Sequence, residues 1–227
     1  MEGMKPPRRI ARRIRPRTRK RRSPEEARSE ILDAADRVFL EYQPDQVGLK
    51  DIGAEAGVSH ALITHYFGTY GGLVEATLER RIRALRAAML IKLRESGALE
   101  RPVELLGMLF RALEDPVHVR LTRWVMASER PTSIHALGLQ DQGLREIARQ
   151  IIATATANPT AELARTVELS LVVAVSAAYG YAMMKYALAG TLGQPVSASL
   201  DEAVQRTLGM MLETYLRGRL EDADPLN

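Results

Sequence analysis

The stretch IGAEAGVSHALITHYF, residues 52–67, constrains the fold of this chain more than any other part of its sequence. It predicts two short helices joined by a tight turn at Gly57. Small or apolar residues fall where two crossed helices pack together, at Ile52, Ala56, Val58 and Leu62. Ser59 is placed to cap the second helix. The pattern is that of a helix-turn-helix, which lays its second helix in the DNA major groove.

Four side chains of that second helix need not be buried. They are His60, Ala61, Thr64 and His65. Short polar groups and methyl groups of this kind contact base edges in the major groove. We therefore expect the outward face of this helix to read DNA.

Composition favours an all-α protein. The 227 residues are 46% hydrophobic, which is enough for a sizeable core, and Ala, Leu, Arg and Glu dominate. The absence of cysteine excludes disulfides, Cys-based zinc sites and thiol nucleophiles, and it suits a cytoplasmic protein. The most apolar stretch, residues 169–184, falls short of the roughly 20 residues of a membrane span. The basic N-terminus lacks the apolar region of a secretory signal.

Charge is distributed very unevenly along the chain. Residues 1–22 hold eleven basic residues against one acid, whereas the remainder carries a net charge of −6. Self-repulsion and three prolines predict a disordered basic arm, and such arms attract polyanions. Arg19, Arg21 and Arg22, next to the folded part, are our candidates for DNA contact.

Helical spacing divides the rest of the chain. Ser23, Pro24 and Glu26 predict a helix start with a capping box, and that first helix ends near Tyr42. A glycine-containing break at 68–72 separates a DNA-binding domain, 23–72, from a second helical domain, 73–227. The further helices are expected at 49–56, 60–67, 73–95, 102–113, 116–128, within 133–157, 160–188 and 200–219. We expect 134–143 to be the most mobile part.

The last two predicted helices differ in character from the others. The helix over 160–188 is apolar almost all round and has small residues at its centre, which lets another helix approach closely. Pairing both helices with their copies would form a two-fold, four-helix interface of a homodimer. The alternative is a central helix buried inside one monomer.

Residues 23–76 resemble the tetracycline-repressor (TetR) family of bacterial transcriptional regulators. The resemblance is carried by several spaced elements in order, Ile31-Leu32-x-Ala34-Ala35, Val38-Phe39, Asp51-Ile52, Ala56-Gly57-Val58-Ser59, His65-x-Phe67 and Leu73. It implies a homodimer whose third helices enter the major groove at half-sites one helical turn apart, roughly 34–36 Å. The rest of the chain resembles the family only in length and helical character.

The resemblance also implies roles for single residues. His60, Ala61 and Thr64 match base-facing positions, Lys50 a position that reaches bases or phosphates, and His65 and Tyr66 positions that touch the DNA backbone. With Ser59 and Tyr70, these complete the candidate DNA contacts. His65 could instead belong to the small core, Tyr66 could serve packing, and Lys50 could be merely solvated.

Several positions depart from the family pattern. Thr64 stands where Tyr is usual, and Tyr70 replaces the usual Lys at the start of the fourth helix, so two habitual DNA-backbone contacts are missing. Gly48 stands where Thr or Ser caps the second helix. Gly53 replaces a common Ala, at a cost of up to about 1 kcal/mol. We therefore expect the arm to supply affinity that the folded domain lacks, unless it is a solubilising extension without specific contacts.

The resemblance further implies a small-molecule effector in the second domain. Large or polar side chains on otherwise apolar helices are candidates for its site, although core packing is the alternative for each of them. They are His118, Trp124, Met126, His135, Tyr179 and Met183. Binding would act on the DNA-binding domains through the long fourth helix.

Other functions receive little support from the sequence. The histidines lack metal-ligand spacing, and no nucleophile-elbow or phosphate-loop pattern occurs, so we expect neither an enzyme nor a metal or cofactor site. A nonspecific DNA-binding protein that acts mainly through the arm is the main alternative. The arm lacks an accompanying amphipathic helix, so a membrane partner is not expected.

Overall fold

The computed structural model describes residues 23–95, 102–128, 143–156 and 158–223, and its regular structure over these ranges is helical. The basic arm and the segment 129–142, including His135 and most of the segment expected to be mobile, lie outside the described residues. The helices are α1 (Pro24–Glu41), α2 (Leu49–Ala56), α3 (His60–Phe67), α4 (Tyr70–Arg94), α5 (Pro102–Glu114), α6 (Pro116–Ala127), α7 (Gly143–Ala155), α8 (Ala161–Thr191) and α9 (Ala198–Ala223), with a single 3-10 turn at Pro44–Gln46.

The first helix begins as the sequence predicts. The Ser23 side chain accepts a hydrogen bond from the Glu26 amide, and the Glu26 carboxylate accepts one from the Ser23 amide. Two of the amides that a helix start leaves without partners are thereby satisfied. The predicted capping box and start of this helix are confirmed.

The turn between α2 and α3 is held by backbone geometry. Gly57 has a positive φ of 64°, which a glycine adopts at little cost, and the Ser59 side chain accepts a hydrogen bond from the Leu62 amide. The bounds of both helices agree with the prediction. One core residue was missed: Ile63 is fully buried, whereas Leu62 is only half-buried.

The structure explains why position 53 is a glycine. A Cβ at this position would lie 3.0 Å from the Val58 carbonyl oxygen. The first residues after the turn therefore pack directly on the α2 backbone. This close approach offsets the lower helix propensity of glycine relative to alanine.

The predicted break at residues 68–72 is wrong in extent. The helix α4 already begins at Tyr70, because the Thr69 side chain caps it by accepting a hydrogen bond from the Gly72 amide. The turn is confined to Gly68 and Thr69. Glycine propensity suggested a longer loop, but the first turn of a helix tolerates glycine when the start is capped.

The core of the N-terminal helices extends beyond them. Buried residues of α1 to α4 form one cluster with Val117, Leu121 and Val125 of α6. Since α6 lies far along the chain, this shared core joins the helix-turn-helix unit to the helices that follow it. Movement of α6 would therefore disturb that core directly.

The remaining helices pack as a second layer. The helix α8 contacts α5, α7 and α9, and its buried stripe includes Leu163, Val167, Ala174 and Ala178. By length and hydropathy this 31-residue helix could cross a membrane, which corrects the sequence estimate that its apolar stretch is too short. Only 22% of its most apolar 18-residue window is buried within the protomer.

Candidate nucleic-acid interface and internal cavity

The outward face of α3 consists of the residues that the sequence singled out. His60, Ala61, Thr64 and His65 are exposed, together with Ser59 at the cap. The Thr64 hydroxyl donates to the His60 carbonyl at 3.1 Å, which leaves its methyl group and oxygen at the surface. These side chains lie on the exposed side of the eight-residue helix and at its N-cap.

The residues beside this face are a mixture of exposed and packed groups. Lys50 is exposed on α2, whereas Tyr66 is half-buried against the core and meets the His65 ring edge-on. Sequence reasoning missed Arg28 of α1, whose guanidinium lies 5.2 Å from the centre of the Phe67 ring at the end of α3. This stacking holds an exposed cation beside the reading face.

Tyr70 is used inside the protein. Its hydroxyl donates to the Pro44 carbonyl at 2.5 Å, and its ring meets Trp124 of α6 edge-on. Burial raises the pKa of this phenol above its usual value, with Asp45 and Asp51 contributing. Tyr70 therefore joins α4 to the turn before α2, which argues against the predicted phosphate contact.

The folded DNA-reading part is acidic. Residues 23–72 contain nine acidic residues and only three basic ones, Arg28, Arg37 and Lys50. Of these, Arg37 pairs with Glu55 at 2.5 Å. Phosphate attraction from this part alone is accordingly weak, since counterion release requires lysines and arginines at the DNA surface.

A cavity of about 600 Å³ opens among the helices that follow. Its wall is mainly apolar and is formed by residues of α4 to α9, among them Leu85, Met89, Leu105, Leu109, Ile147, Ile151, Val167, Leu171, Ala174 and Leu216. A volume and lining of this kind suit a small, largely apolar molecule. Among the described residues, no group of three or more His, Asp or Glu side chains could hold a metal ion.

Only some of the candidate ligand residues line the cavity. Met126 and Tyr179 lie in the cavity wall. Trp124 packs at the edge of the N-terminal core instead, and the half-buried Met183 is outside the described lining, so neither position supports a ligand contact. His118 is buried behind Tyr179. Helical spacing alone could not distinguish these faces, because it does not show which side of a helix packs on the core and which side lines the cavity.

His118 and Tyr179 form a buried pair. The His118 Nε2 and the Tyr179 hydroxyl are 2.9 Å apart. Burial, together with the positive charge of Arg81, lowers the pKa of His118 to about 4, although Asp115 opposes the shift. Burial raises the pKa of Tyr179 to about 12. Both groups are therefore neutral at physiological pH.

The low pKa of His118 makes folding stability depend on pH. Between about pH 6.5 and 4 the unfolded chain binds a proton that the folded protein excludes, so stability is complete above this window and falls as the pH decreases through it. The loss is expected to reach about 3 kcal/mol near pH 4. Denaturant unfolding of the wild type and of His118→Gln should show the difference between them changing in this window. A constant difference from pH 7 to 4 would contradict the prediction.

A chain of polar contacts connects this pair to α1. Asp115 caps α6, accepting hydrogen bonds from the amides of Val117 and His118, and also accepts one from Arg81 of α4 at 2.8 Å. Arg81 in turn donates to Asp36 of α1 at 2.7 Å. The N-terminus of α6 is thereby linked to the DNA-reading part by charged hydrogen bonds.

A second contact joins α6 to the last turn of α1. Arg120 donates to the carbonyls of Phe39 and Leu40, at 2.9 and 2.7 Å. These carbonyls lie in the last turn of the helix, where a cation is favoured. A shift of α6 away from the cavity would therefore act on α1 at two points.

A large apolar surface remains exposed on the last two helices. Of fourteen exposed large apolar side chains in the described part, ten lie between Leu169 and Tyr215. On α8 they include Leu169, Val173 and Met184, in one stripe with Gly180, where a Cβ would have no neighbour within 4 Å. A monomer rarely exposes an apolar patch of this extent without a function for it.

Comparison with known proteins agrees with this geometry. A family model described as "Bacterial regulatory proteins, tetR family" matches residues 31–77. An HTH-type transcriptional repressor of Mycobacterium tuberculosis is 40% identical over 68 residues, which cover 29% of this chain and 36% of that protein. The regulator BetI of Agrobacterium fabrum is 39% identical over 75 residues, covering 33% and 36%. The chain thus spans about a third of the length of these curated relatives.

Solved structures extend the similarity to the whole fold. A tetR-family transcriptional regulator from Streptomyces coelicolor has a TM-score of 0.59 at 22% identity, over 86% of this chain and 88% of that one. FadR from Bacillus subtilis, solved in complex with stearoyl-CoA, has a TM-score of 0.51 at 14% identity, over 80% and 97%. Fold and surface together define an all-helical protein with an N-terminal helix-turn-helix. Residues 31–77 match the TetR family model, and the described helices share the fold of solved TetR-family regulators.

Proposed function

We propose that this protein is a dimeric, sequence-specific repressor that binds a palindromic operator in the cytoplasm and leaves it when a small apolar or amphipathic molecule occupies the cavity. The observation that carries the DNA-binding part is the exposed patch on α3, built from His60, Ala61 and Thr64 on a correctly capped helix-turn-helix. Lys50 and His65 flank this patch. The family model described as "Bacterial regulatory proteins, tetR family" matches residues 31–77, which include this patch.

Selection of bound DNA from random sequence tests this proposal. A dimer of α3 helices should recover an inverted repeat whose half-sites are about 34–36 Å apart. Substituting His60 or Thr64 should relax preference at particular base pairs, by about 1–3 kcal/mol for each lost contact. Recovery of sequences without any shared site would instead support the alternative, a nonspecific DNA-binding protein that acts through its arm.

Because residues 23–72 are acidic, we assign the attraction to DNA phosphates mainly to the basic arm. Eleven cations in residues 1–22 precede an acidic reading domain, so we infer that they supply most of the phosphate attraction. Each phosphate contact changes the slope of log affinity against log salt by about 0.9. Deleting residues 1–22 should at least halve that slope, and it should weaken operator binding about tenfold or more at 0.15 M salt.

Charge-neutral variants of the arm separate a local contact from a general attraction. Replacing Arg19, Arg21 and Arg22 with Gln should cost more operator affinity than replacing Arg8, Arg9 and Arg12, if the segment next to Ser23 follows the DNA beside α3. Equal losses would indicate a diffuse attraction only. An unchanged salt slope after the deletion would reject a DNA-binding part for the arm.

The exposed stripe on α8 and the adjoining face of α9 support the dimer. Pairing these faces about a two-fold axis would bury the apolar side chains that the protomer leaves exposed. Met210, Met211 and Tyr215 of α9 lie on this surface. Small residues at the centre of the α8 stripe, Ala177 and Gly180, would allow the helices to approach closely.

Release by an effector is supported by the contacts between the cavity wall and α1. Tyr179 contributes to the wall and bonds His118 of α6, while Asp115 and Arg120 of the same helix contact Arg81 and the end of α1. A ligand shifts the balance between two conformations only by binding one of them better. We propose that a ligand that displaces Tyr179 moves α6, and that α6 repositions α1 and the reading helix.

The variant Tyr179→Phe tests this route, because it keeps the ring in the wall and removes the hydrogen bond to His118. With a compound that releases the wild type from its operator, we expect binding to the free protein to change little. The ratio of the compound's affinity for the free variant to its affinity for the operator-bound variant should be about tenfold closer to one than in the wild type. Tyr181→Phe is the matched control. Tyr181 lies on the same helix as Tyr179, and the substitution removes a hydrogen bond from its hydroxyl to Asp201 of α9. An unchanged ratio in Tyr179→Phe would exclude the route.

A further inference from the structure

One arginine beside the reading helix is held by an aromatic ring. Arg28 of α1 is exposed, and its guanidinium carbon lies over the Phe67 ring, 5.2 Å from the ring centre. We propose that Arg28 binds a phosphate of the operator at the wall of the major groove, and that Phe67 positions it for this contact. The inference rests on the proposed DNA-binding function. It adds a contact that comes from neither the arm nor the outward face of α3.

The location of Phe67 places this cation at the edge of the reading face. Positions 60, 64 and 67 are four and three residues apart, so they follow one another along one side of α3. His60 and Thr64 are exposed, whereas Phe67, the last residue of the helix, is half-buried against the core. Arg28 therefore lies at the C-terminal end of the row that His60 and Thr64 begin.

A helix docked in the major groove brings the side chains beside it close to phosphates. The groove is about 12 Å wide, and a helix with its side chains is about 10–12 Å across. A reading helix thus fills the groove, and a long side chain next to its face meets the groove wall. About half to two-thirds of the hydrogen bonds between proteins and DNA go to phosphates and sugars, and arginine is a common donor. Helix α1 supplies such a side chain at Arg28.

The ring contact leaves the guanidinium of Arg28 suited to an anion. Arg37, on the same helix, is already engaged by the Glu55 carboxylate, whereas the described contact of Arg28 is with a ring. An aromatic face attracts a guanidinium without taking up its N–H groups, which a bidentate carboxylate does. The ring also restricts a long, exposed side chain before DNA arrives, so less conformational entropy is lost when a phosphate binds.

Salt titrations of the full-length protein on its selected operator test the phosphate contact. Arg28→Gln should weaken binding about tenfold at 0.15 M salt, since the proposed dimer loses two charge-assisted contacts. The slope of log affinity against log salt should fall by about 1.8, because each phosphate contact contributes about 0.9. Operators with single base-pair changes should all lose the same factor, because a phosphate contact carries no sequence information. Arg28→Lys, which keeps the charge, should retain most of the slope.

Arg37→Gln is the matched control. It makes the same change of charge on the same helix, nine residues later and hence on nearly the opposite side of α1. Its salt slope should stay close to that of the wild type. An equal fall of the slope in both variants would indicate a general effect of charge and would overturn the proposal. An unchanged slope in Arg28→Gln would overturn it as well.

The variant Phe67→Leu tests the positioning part. Leucine keeps an apolar side chain against the core and removes the ring, so operator binding should weaken about threefold. In the Arg28→Gln background the same substitution should cause no further loss, because the side chain that the ring positions is absent. Denaturant unfolding of each variant measures any accompanying change in stability. An equal loss in both backgrounds would assign the effect to packing and would overturn the positioning role.

Failure of the proposed function can be told apart from failure of this inference. A wild type that selects no shared DNA sequence would count against a sequence-specific regulator. Salt titrations on random duplex DNA would then still decide the role of Arg28, because nonspecific binding also depends on phosphate contacts. A smaller slope in Arg28→Gln than in Arg37→Gln would support the contact, and equal slopes would overturn it.

Discussion

The variant Val173→Asp is expected to convert the protein into a folded monomer that no longer binds its operator. Val173 is 57% exposed in the protomer, near the middle of the α8 stripe. Replacing it therefore leaves the internal core intact. In a two-fold interface the same substitution occurs twice, and it places two carboxylates among apolar side chains.

The size of this effect follows from the cost of burying charge. An uncompensated buried charge costs about 3–5 kcal/mol, so two of them should raise the dimer dissociation constant by a factor of about 10⁴ or more. Operator binding should be lost with the dimer, because a monomer engages only one half-site. Sedimentation velocity measures the first effect, and a binding titration with the selected operator measures the second.

Ile91→Asp is the matched control for the interface. Ile91 is a β-branched residue on α4 that is 62% exposed, outside the α8 and α9 surface. The control should remain dimeric and bind its operator normally. If Val173→Asp also remained dimeric with an unchanged dissociation constant, the α8 stripe would not be the interface.

The second large effect is expected at Gly72, in the first turn of α4. A Cβ at this position would lie 2.2 Å from the Phe67 carbonyl oxygen, a backbone atom at the end of the reading helix. That separation is far below any real contact, so the end of α3 or the start of α4 must move. Gly72→Ala should destabilise the protein by about 3 kcal/mol, the upper range for overpacking.

Because the displaced atom belongs to α3, Gly72→Ala should also weaken operator binding, by about a hundredfold. Denaturant unfolding and operator titration measure the two effects. Gly48→Ala serves as the control, since a Cβ there has no neighbour within 4 Å. The Gly48 amide donates to the Asp51 carboxylate in either protein, so the start of α2 is kept. Equal stability of the two variants would contradict the expected clash.

Local signals account for the parts of the fold that sequence reasoning predicted well. The caps at Ser23 and Ser59 and the turn at Gly57 depend on a few neighbouring residues, so the bounds of α2 and α3 follow directly from the chain. The start of α4 was predicted too late. Its cap, Thr69, lies between glycines whose propensity suggested a longer loop.

Local sequence signals could not predict contacts between segments that are distant in the chain. Arg80 pairs with Asp33 and Asp36, and Arg81 pairs with Asp36 and Asp115, contacts that the spacing of residues along α4 does not predict. Trp124 read as a candidate ligand residue but packs against Tyr70. The same helical spacing is compatible with several partners, and only packing decides between them.

By itself, the sequence determined that this protein is helical, that Ser23 caps its first described helix, and that residues 52–67 form a helix-turn-helix with His60, Ala61 and Thr64 facing outward. These features depend on interactions between residues a few positions apart, and the sequence gives that spacing directly. The tertiary structure alone decided which helices enclose the cavity, that Arg86 lies in its wall, and that α6 joins the cavity to α1. Those features depend on side chains far apart in sequence, whose meeting is determined by how the helices pack.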